Sequence, residues 1–365
     1  MPKVRTTPDF LLALVTLILV IIGCVMVYSA SAVIAEYRFE DAYFFLKRQL
    51  FFVFVGFIAM FLMMQVDYWR LKRFANIVLL ICFVLLIIVL IPGIGLVRGG
   101  AQSWLGVGAF SIQPSEFMKL AMILFLAKYV SEKQKYITTW RRGLIPIFSL
   151  ILVAFGLIML QPDLGTGAVM VFTCVLLIFV SGAQLSHFYF LASLGLAGLA
   201  GLIISAPYRL ERITSFLNPW EDPLGSGFQI IQSLFAIGPG GILGLGLGNS
   251  RQKYFYLPEP QTDFIFAILA EELGFLGGAF VLACFAILLW RGLRIAIHAP
   301  DLYGTLFATG IISMIAIQVM INIGVVIGLM PVTGITLPLL SYGGSSLTLM
   351  LTTIGILLNI SRHIR

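Results

Sequence analysis

Charged residues are scarce in this sequence. Asp, Glu, Lys and Arg together make up 11% of the chain, whereas hydrophobic residues make up 60%. A soluble domain is typically about half apolar and about one quarter charged, so this composition excludes a soluble enzyme or a soluble binding module. The sequence therefore predicts an all-α integral membrane protein that forms a single polytopic membrane domain over residues 1–365.

Cysteine and histidine are also rare, with four and three copies respectively. The cysteines all lie in apolar runs without paired spacing, which is typical of small core residues rather than of disulfides or metal ligands. The histidines show no ligand spacing, and the HExxH, Walker and Gly-x-Ser-x-Gly motifs are absent from the sequence. The net charge of +7 predicts contact with anionic lipid headgroups rather than with nucleic acid.

Apolar runs that approach the roughly 20 residues needed to cross a bilayer recur along the chain. They predict about ten transmembrane spans. Their bounds are Phe10–Ala30, Phe51–Val66, Asn76–Ile91, Phe117–Val130, Leu144–Leu160, Gly165–Val180, Phe188–Ala206, Phe264–Trp290, Tyr303–Leu329 and Ser345–Ile360.

Lys and Arg set the predicted orientation. They are more numerous in the segments that face the cytoplasm when the N-terminus is inside, so both termini are predicted to be cytoplasmic. This orientation places one long connection, residues 207–263, on the outer face between the seventh and eighth spans. Within it, Phe228–Ile237 has its polar residues on one side and predicts a short helix at the membrane interface.

Polar motifs stand at the outer start of each even-numbered span. They are Lys47–Gln49, Gln113–Glu116, Gln161–Asp163, Gln261–Asp263 and Ser341–Ser346. Helix N-termini carry partial positive charge and free N–H donors, so several of them on one face would suit an anionic ligand such as a phosphate. The same residue types are also ordinary helix starters, and that alternative stays open for any single motif.

Ionisable residues within or beside the spans give the sharpest hypotheses. Asp263 lies where the long connection becomes the eighth span, and it can either cap that helix or act as a base in a water-filled cleft. Glu116 and Lys119 are spaced to form an ion pair, which is either structural or part of a ligand site. Glu271 and Glu272 lie more than two turns into the eighth span, and their role stays open.

Five motifs together resemble the SEDS family, the RodA, FtsW and SpoVE peptidoglycan glycosyltransferases of bacteria. They are QPSEFMKLA (Gln113–Ala121), QPDLGT (Gln161–Thr166), NPWEDPLGSGFQIIQSL (Asn218–Leu234), LPEPQTDFIFAILAEELG (Leu257–Gly274) and PLLSYGGSS (Pro338–Ser346). The similarity covers essentially the whole chain and is closest to the FtsW branch, in particular to SpoVE of spore formers.

The resemblance implies an enzyme that polymerises lipid II at the outer face of the bacterial cytoplasmic membrane. The family's essential aspartate falls on Asp263, whose implied role is to activate the 4-hydroxyl of the acceptor sugar. That hydroxyl attacks the anomeric carbon with inversion, and undecaprenyl pyrophosphate leaves. The leaving group needs no proton donor, but it does need positive charge.

The resemblance and the outer-face placement together select the candidate site residues. The cationic candidates are Arg48, Lys119, Arg209, Arg212, Arg251 and Lys253. Thr262 is expected to orient Asp263. Three side chains of the predicted interfacial helix either contact sugars or satisfy backbone groups: Gln229, Gln232 and Ser233. Further substrate-binding candidates are Glu116, Asp163, Ser341 and Ser345. No cofactor is fixed, and a divalent cation, Mg²⁺ or Mn²⁺, is a candidate.

Two functions from other classes fit the same residues. A flippase would carry lipid II across the bilayer through the same cationic cavity and would need no catalytic carboxylate. A scaffold would only recruit a class B penicillin-binding transpeptidase, which is also the partner that the resemblance implies for the enzyme. The motifs do not distinguish division, elongation and sporulation.

Overall fold

The computed structural model describes residues 7–98, 100–107, 110–204 and 207–364. In these ranges the chain is predominantly helical. The helices are α1 (Phe10–Phe39), α2 (Phe44–Gln65), α3 (Tyr68–Val89), α4 (Pro114–Lys133), α5 (Ile145–Met159), α6 (Leu164–Val180), α7 (Leu185–Ile204), α8 (Pro207–Leu217), α9 (Phe228–Gly240), α10 (Ile265–Ile297), α11 (Leu302–Val326) and α12 (Gly344–Ser361).

The prediction of an α-helical integral membrane protein is confirmed. Each predicted span overlaps one of the helices α1–α7 and α10–α12. Among the described residues, seven helices are long and apolar enough to cross a membrane by length and composition alone. Of the others, α6 is apolar but shorter, with 17 residues. The helix α1 has 30 residues, and at about 1.5 Å per residue it is longer than the roughly 30 Å hydrocarbon core.

The long connection is more ordered than a loop. It contains α8 and α9, and α9 confirms the short helix predicted from Phe228 onward. Between α3 and α4 the chain also forms a small antiparallel sheet of β1 (Leu96–Arg98), β2 (Ala101–Val107) and β3 (Phe110–Ile112), in the order β1-β2-β3. These strands were not predicted from the sequence.

The helices α11 and α12 form the buried centre of the bundle. Most of their side chains are inaccessible, whereas α2 exposes a row of large apolar side chains to the surroundings. Because lipid tails are as apolar as these side chains, helix association in a membrane depends on close packing. The contact between α2 and α12 shows this, since a Cβ at Gly355 would overlap the backbone of Met60.

Hydrogen bonds connect α3, α11 and α12 at the end of the bundle that lies opposite the first turn of α12. Asp301 caps α11 by accepting from the backbone N–H of Gly304 at 2.7 Å. The Tyr68 hydroxyl and the Trp69 indole nitrogen donate to the same carboxylate at 2.6 and 2.5 Å. Asn359, near the end of α12, accepts from the Tyr68 backbone N–H at 2.9 Å. These bonds join the first turn of α3 to α11 and α12, and we call them the Asp301 cluster.

Candidate functional site

A cavity of about 700 Å³ lies among the N-terminal ends of several helices. Its walls come from the beginnings of α2, α4, α6 and α12, the segments that precede α10 and α12, and the sheet. The polar motifs that the sequence places at the starts of the even-numbered spans therefore meet in one place. The predicted site residues that line this cavity are Arg48, Glu116, Lys119, Asp163, Gln229, Thr262 and Asp263.

Asp263 is held at the cavity wall by bonds to its backbone and to its neighbour. Its carbonyl oxygen accepts from the Asn322 side-chain amide at 2.8 Å. The Ser341 hydroxyl donates to the carbonyl of Thr262 at 2.6 Å. Since α10 begins at Ile265 with Phe264 as its cap residue, Asp263 lies just outside the helix, with its side chain half-buried at the cavity.

Glu116 and Lys119 form the predicted ion pair. The Lys119 ammonium lies 2.7 Å from Glu116 Oε1, and Lys119 is 1% exposed and Glu116 6% exposed. Buried charges are tolerated only when they are paired and hydrogen-bonded. Glu116 Oε2 is buried without a hydrogen-bond partner in the described part of the chain. The pair therefore offers the cavity a cation together with an unsatisfied acceptor.

Asp163 joins α4 to α6. Its carboxylate accepts from the backbone N–H of Thr166 at 3.1 Å, which caps α6, and from Gln113 Nε2 at 2.9 Å. The Ser115 hydroxyl donates to it at 3.3 Å. Burial raises the pKa of the Asp163 carboxyl, with Thr166 acting in the opposite direction. These bonds give Asp163 a role in building the cavity wall as well as in lining it.

The raised pKa of Asp163 makes stability depend on pH. A folded state that holds this proton more tightly than the unfolded chain is stabilised fully below the ordinary value of 3.8, and it loses that stability as pH rises through the raised pKa. Asp163→Asn keeps a capping side chain but removes the titration. We expect the midpoint of thermal unfolding in detergent to fall less steeply with rising pH in this variant than in wild type. The same pH dependence of the unfolding midpoint in Asp163→Asn and in wild type would contradict the raised pKa of Asp163.

The remaining predicted residues have other surroundings. Ser233 is buried and donates to the Val326 carbonyl at 2.7 Å, and Ser345 is buried in the first turn of α12. Gln232 is half-buried in α9, and Lys253 pairs with Glu272 at 3.2 Å. The side chains of Arg209 and Arg212, on α8, lie outside the described residues. Arg251 is exposed, whereas Arg48 packs over the Phe44 ring at 4.0 Å.

Comparison with known proteins settles the family. A family model for FtsW, RodA and SpoVE, described as a cell cycle protein, matches residues 9–365. The chain belongs to the FtsW/RodA/SpoVE family. It is 67% identical over 361 residues to Stage V sporulation protein E of Bacillus subtilis (strain 168), covering 99% of each chain. It is 41% identical over 357 residues to the probable peptidoglycan glycosyltransferase FtsW of Geobacter sp. (strain M18), covering 98% of this chain and 97% of that one.

Solved structures agree with this family assignment. A chain from a structure described as a peptidoglycan synthase complex that coordinates polymerization and crosslinking superposes with a TM-score of 0.78 at 35% identity, covering 97% of this chain and 98% of that one. The crystal structure of the rod shape determining protein RodA of Thermus thermophilus gives a TM-score of 0.72 at 31% identity, covering 97% of each chain. The FtsW/RodA/SpoVE resemblance drawn from the motifs is confirmed.

Two further glutamines of this FtsW/RodA/SpoVE cavity were not selected as site residues from the sequence, although Gln261 belongs to the polar motif Gln261–Asp263. Gln261 and Gln318 both line it, and the Oε1 atom of each is buried without a hydrogen-bond partner among the described residues. Gln318 lies within the predicted ninth span, Tyr303–Leu329, and no site role was predicted for it. A glutamine inside a buried apolar helix needs hydrogen-bond partners, since an unsatisfied polar atom there is costly.

The donor set of the site does not form a metal centre. Across the described ranges, no group of three or more His, Cys, Asp or Glu side chains is placed to hold a metal ion. Of the cavity carboxylates, Glu116 is paired with Lys119 through Oε1, and Asp163 accepts from Thr166 and Gln113. The described residues of the cavity therefore do not by themselves form a binding site for Mg²⁺ or Mn²⁺.

Proposed function

We propose that this protein is a peptidoglycan glycosyltransferase that polymerises lipid II into glycan strands at the outer face of the bacterial cytoplasmic membrane. The observation that carries the proposal is one polar cavity in a membrane bundle that is lined by a carboxylate, Asp263, and by a buried cation, Lys119. Relatives that align over nearly the whole chain are named probable peptidoglycan glycosyltransferases.

In the proposed reaction Asp263 is the general base. The acceptor's sugar 4-hydroxyl transfers its proton to the Asp263 carboxylate as its oxygen bonds to the anomeric carbon of the growing strand. The bond from that carbon to the pyrophosphate oxygen breaks, and undecaprenyl pyrophosphate leaves with inversion. Thr262, beside Asp263, is proposed to help orient the carboxylate.

We propose that positive charge at the cavity stabilises the leaving diphosphate. Lys119 is desolvated, and an ammonium in a low-dielectric site stabilises a developing anion more strongly than one in water. Arg48 supplies a second cation at the same wall. Helix starts around the cavity add partial positive charge.

The unsatisfied acceptors of the cavity suit a sugar. Glu116 Oε2, Gln261 Oε1 and Gln318 Oε1 each lack a donor in the described structure, and a saccharide presents many hydroxyl donors. A hydroxyl that pairs with one of them relieves the cost of a buried unpaired acceptor. Gln229 is proposed to contact the same ligand, and Asp163 and Ser341 to keep the walls in place.

The proposal includes a topology and a partner. We place both termini in the cytoplasm, so that the cavity opens outward and meets lipid II in the outer leaflet among membrane lipids. We propose a class B penicillin-binding transpeptidase as the partner that crosslinks the strands. Support comes from the similarity to a chain of a peptidoglycan synthase complex.

Reconstitution of the purified protein with lipid II tests the function directly. The assay follows polymer formation in vesicles with and without the class B transpeptidase, in parallel with transport of labelled lipid II between leaflets. Polymer from the wild-type protein supports the glycosyltransferase. Transport without polymer would favour a flippase, and the absence of polymer even with the partner would favour a scaffold.

A further inference from the structure

Two adjacent carboxylates lie buried inside the longest helix, away from the cavity. Glu271 and Glu272 of α10 are 1% and 0% exposed, and neither lines the cavity that holds Asp263. A buried carboxylate in a membrane helix is costly unless donors surround it, so the pair needs donors from elsewhere in the chain. Those donors come from the segment that leads to Asp263.

The helix is interrupted directly after this pair. Gly274 has φ 67° and ψ −165°, which is not a helical conformation. The stretch 241–246 lies against the break and pairs with it through backbone hydrogen bonds: Leu245 N to Glu271 O (3.0 Å), Gly246 N to Glu272 O (3.0 Å), Phe275 N to Gly241 O (2.9 Å) and Leu276 N to Ile242 O (3.1 Å). These bonds satisfy groups that a broken helix leaves unpaired.

A glycine makes this close approach possible. Gly244 has φ +81°, and a Cβ there would overlap the carbonyl oxygen of Glu272. Gly248, farther along the same connection, has nearly the same φ of +80°, but a Cβ added there would meet nothing within 4 Å. Gly244→Ala and Gly248→Ala would therefore both strain the backbone, but only Gly244→Ala would also clash with α10.

The carboxylate of Glu271 binds the beginning of the segment that ends at Asp263. Its Oε2 accepts from the Ser250 hydroxyl at 2.5 Å, and its Oε1 accepts from the backbone N–H of Arg251 at 2.8 Å. The Ser250 hydroxyl oxygen also accepts from the backbone N–H of Lys253 at 3.3 Å. Glu271 thus fixes both a side chain and the backbone of this segment.

The carboxylate of Glu272 joins three parts of the chain. The Lys253 ammonium lies 3.2 Å from its Oε1 and also donates to the Gly248 carbonyl at 2.5 Å. From α1, the Ser29 hydroxyl contacts both carboxylate oxygens at 2.7 Å. Lys253 is 4% exposed, so this ion pair is held away from water, where breaking one partner is strongly unfavourable. We call Glu271, Glu272, Ser250, Lys253 and Ser29 the acid latch.

The acid latch anchors the beginning of a segment whose other end carries Asp263. The segment 250–264 is bound to α10 at its beginning through the latch, and it continues into α10 at its end. Near that end, Ser341 and Asn322 hold the carbonyls of Thr262 and Asp263. With both ends fixed, the segment has little freedom to shift the Asp263 carboxylate along the cavity wall.

We propose that Glu271 and Glu272 are positioning residues for the glycosyl transfer, acting through the segment 250–263 on Asp263. This inference rests on the proposed glycosyltransferase function. A base displaced by about 1 Å can lose up to about a hundredfold in rate while substrate binding changes little. The acid latch therefore contributes to turnover rather than to substrate affinity.

Steady-state polymerisation kinetics test this role. We expect Glu271→Gln and Glu272→Gln each to lower kcat about tenfold to a hundredfold and to change the KM for lipid II less than about threefold. Glu221→Gln, at an exposed acid of the same connection, is the matched control and should keep wild-type kinetics. Wild-type kcat in both latch variants, or a loss confined to KM, would overturn the inference.

A second measurement reports on the segment without using activity. A nitroxide is attached to a cysteine introduced by Tyr256→Cys, at a position that is 56% exposed. The four native cysteines are replaced by alanine so that the label attaches at this position alone. We expect the label to be more mobile in Glu272→Gln and in Gly244→Ala than in Gly248→Ala, which shares the backbone strain alone. Equal mobility in all variants, with each protein eluting as a folded monodisperse species, would overturn the anchoring.

The two measurements separate the latch from the reaction. If the wild-type protein makes no polymer but the label loosens in the latch variants, the glycosyltransferase proposal fails while the anchoring of segment 250–263 stands. If the wild-type protein polymerises lipid II and the label loosens without any loss of kcat, the proposed function stands and the positioning role is rejected.

Discussion

Asp263→Asn is expected to abolish glycan polymerisation from purified lipid II. Asparagine has nearly the same shape as aspartate, but its amide cannot take the proton of the attacking hydroxyl. Loss of a general base typically costs about a hundredfold to ten-thousandfold in rate. The measurement is conversion of labelled lipid II into polymer, resolved by gel electrophoresis, with the class B transpeptidase present. Expression and partner binding should be unchanged, because the bond from Asn322 to the backbone carbonyl of this residue is kept in the variant.

The control for this experiment is an exposed aspartate of the same connection. Among the described residues, the Asp222 carboxylate accepts from nearby residues, for example from the backbone N–H groups of Gly225 and Ser226. Asp222→Asn should polymerise lipid II at close to the wild-type rate. Full activity in Asp263→Asn would contradict the proposed mechanism, and if transport of lipid II were lost instead, the flippase would be favoured.

Lys119→Met is expected to remove polymerisation and to destabilise the protein. It deletes the buried cation and leaves the Glu116 carboxylate without its 2.7 Å partner. Breaking one side of a buried ion pair typically costs about 3–5 kcal/mol. The activity is measured with lipid II as above, and stability is measured as the midpoint of thermal unfolding in detergent.

A double variant separates the two effects of Lys119. Glu116→Gln combined with Lys119→Met removes both charges, so no buried carboxylate remains unpaired and most of the stability should return. Activity should stay absent, because the cavity still lacks the cation proposed to stabilise the diphosphate. A double variant that polymerises lipid II at the wild-type rate would show that the pair serves only to hold α4 together.

Hydropathy was sufficient to predict the helices, but not where they begin. The third span was expected to start at Asn76, whereas α3 begins at Tyr68. The missing turns contain Arg70, Lys72 and Arg73, whose charges lower the local hydropathy. Long basic side chains can lie along an apolar helix while their charged ends reach water, so the helix continues where the apolar signal stops. Similarly, the fourth span was expected to start at Phe117, whereas α4 begins at Pro114 and includes Glu116 in its first turn.

The sequence could not predict which residues far apart in the chain contact each other. The strands between α3 and α4 are as short as three residues, too short for an alternating pattern to be distinctive. The role of Glu271 and Glu272 depends on Ser29, which is 243 residues away, and on Ser250 and Lys253. The site residues were easier to predict from the sequence, because they belong to local motifs at helix starts that the fold then brings together.

The Asp301 cluster lies at the opposite end of the bundle from the cavity. It joins the first turn of α3 to α11 and α12 through bonds of 2.5–2.9 Å. Helices fastened at one end can separate only by tilting about that end. If the helices tilt, the far ends of α11 and α12, which lie at the cavity, would move the most, and the Asp301 cluster would be the pivot.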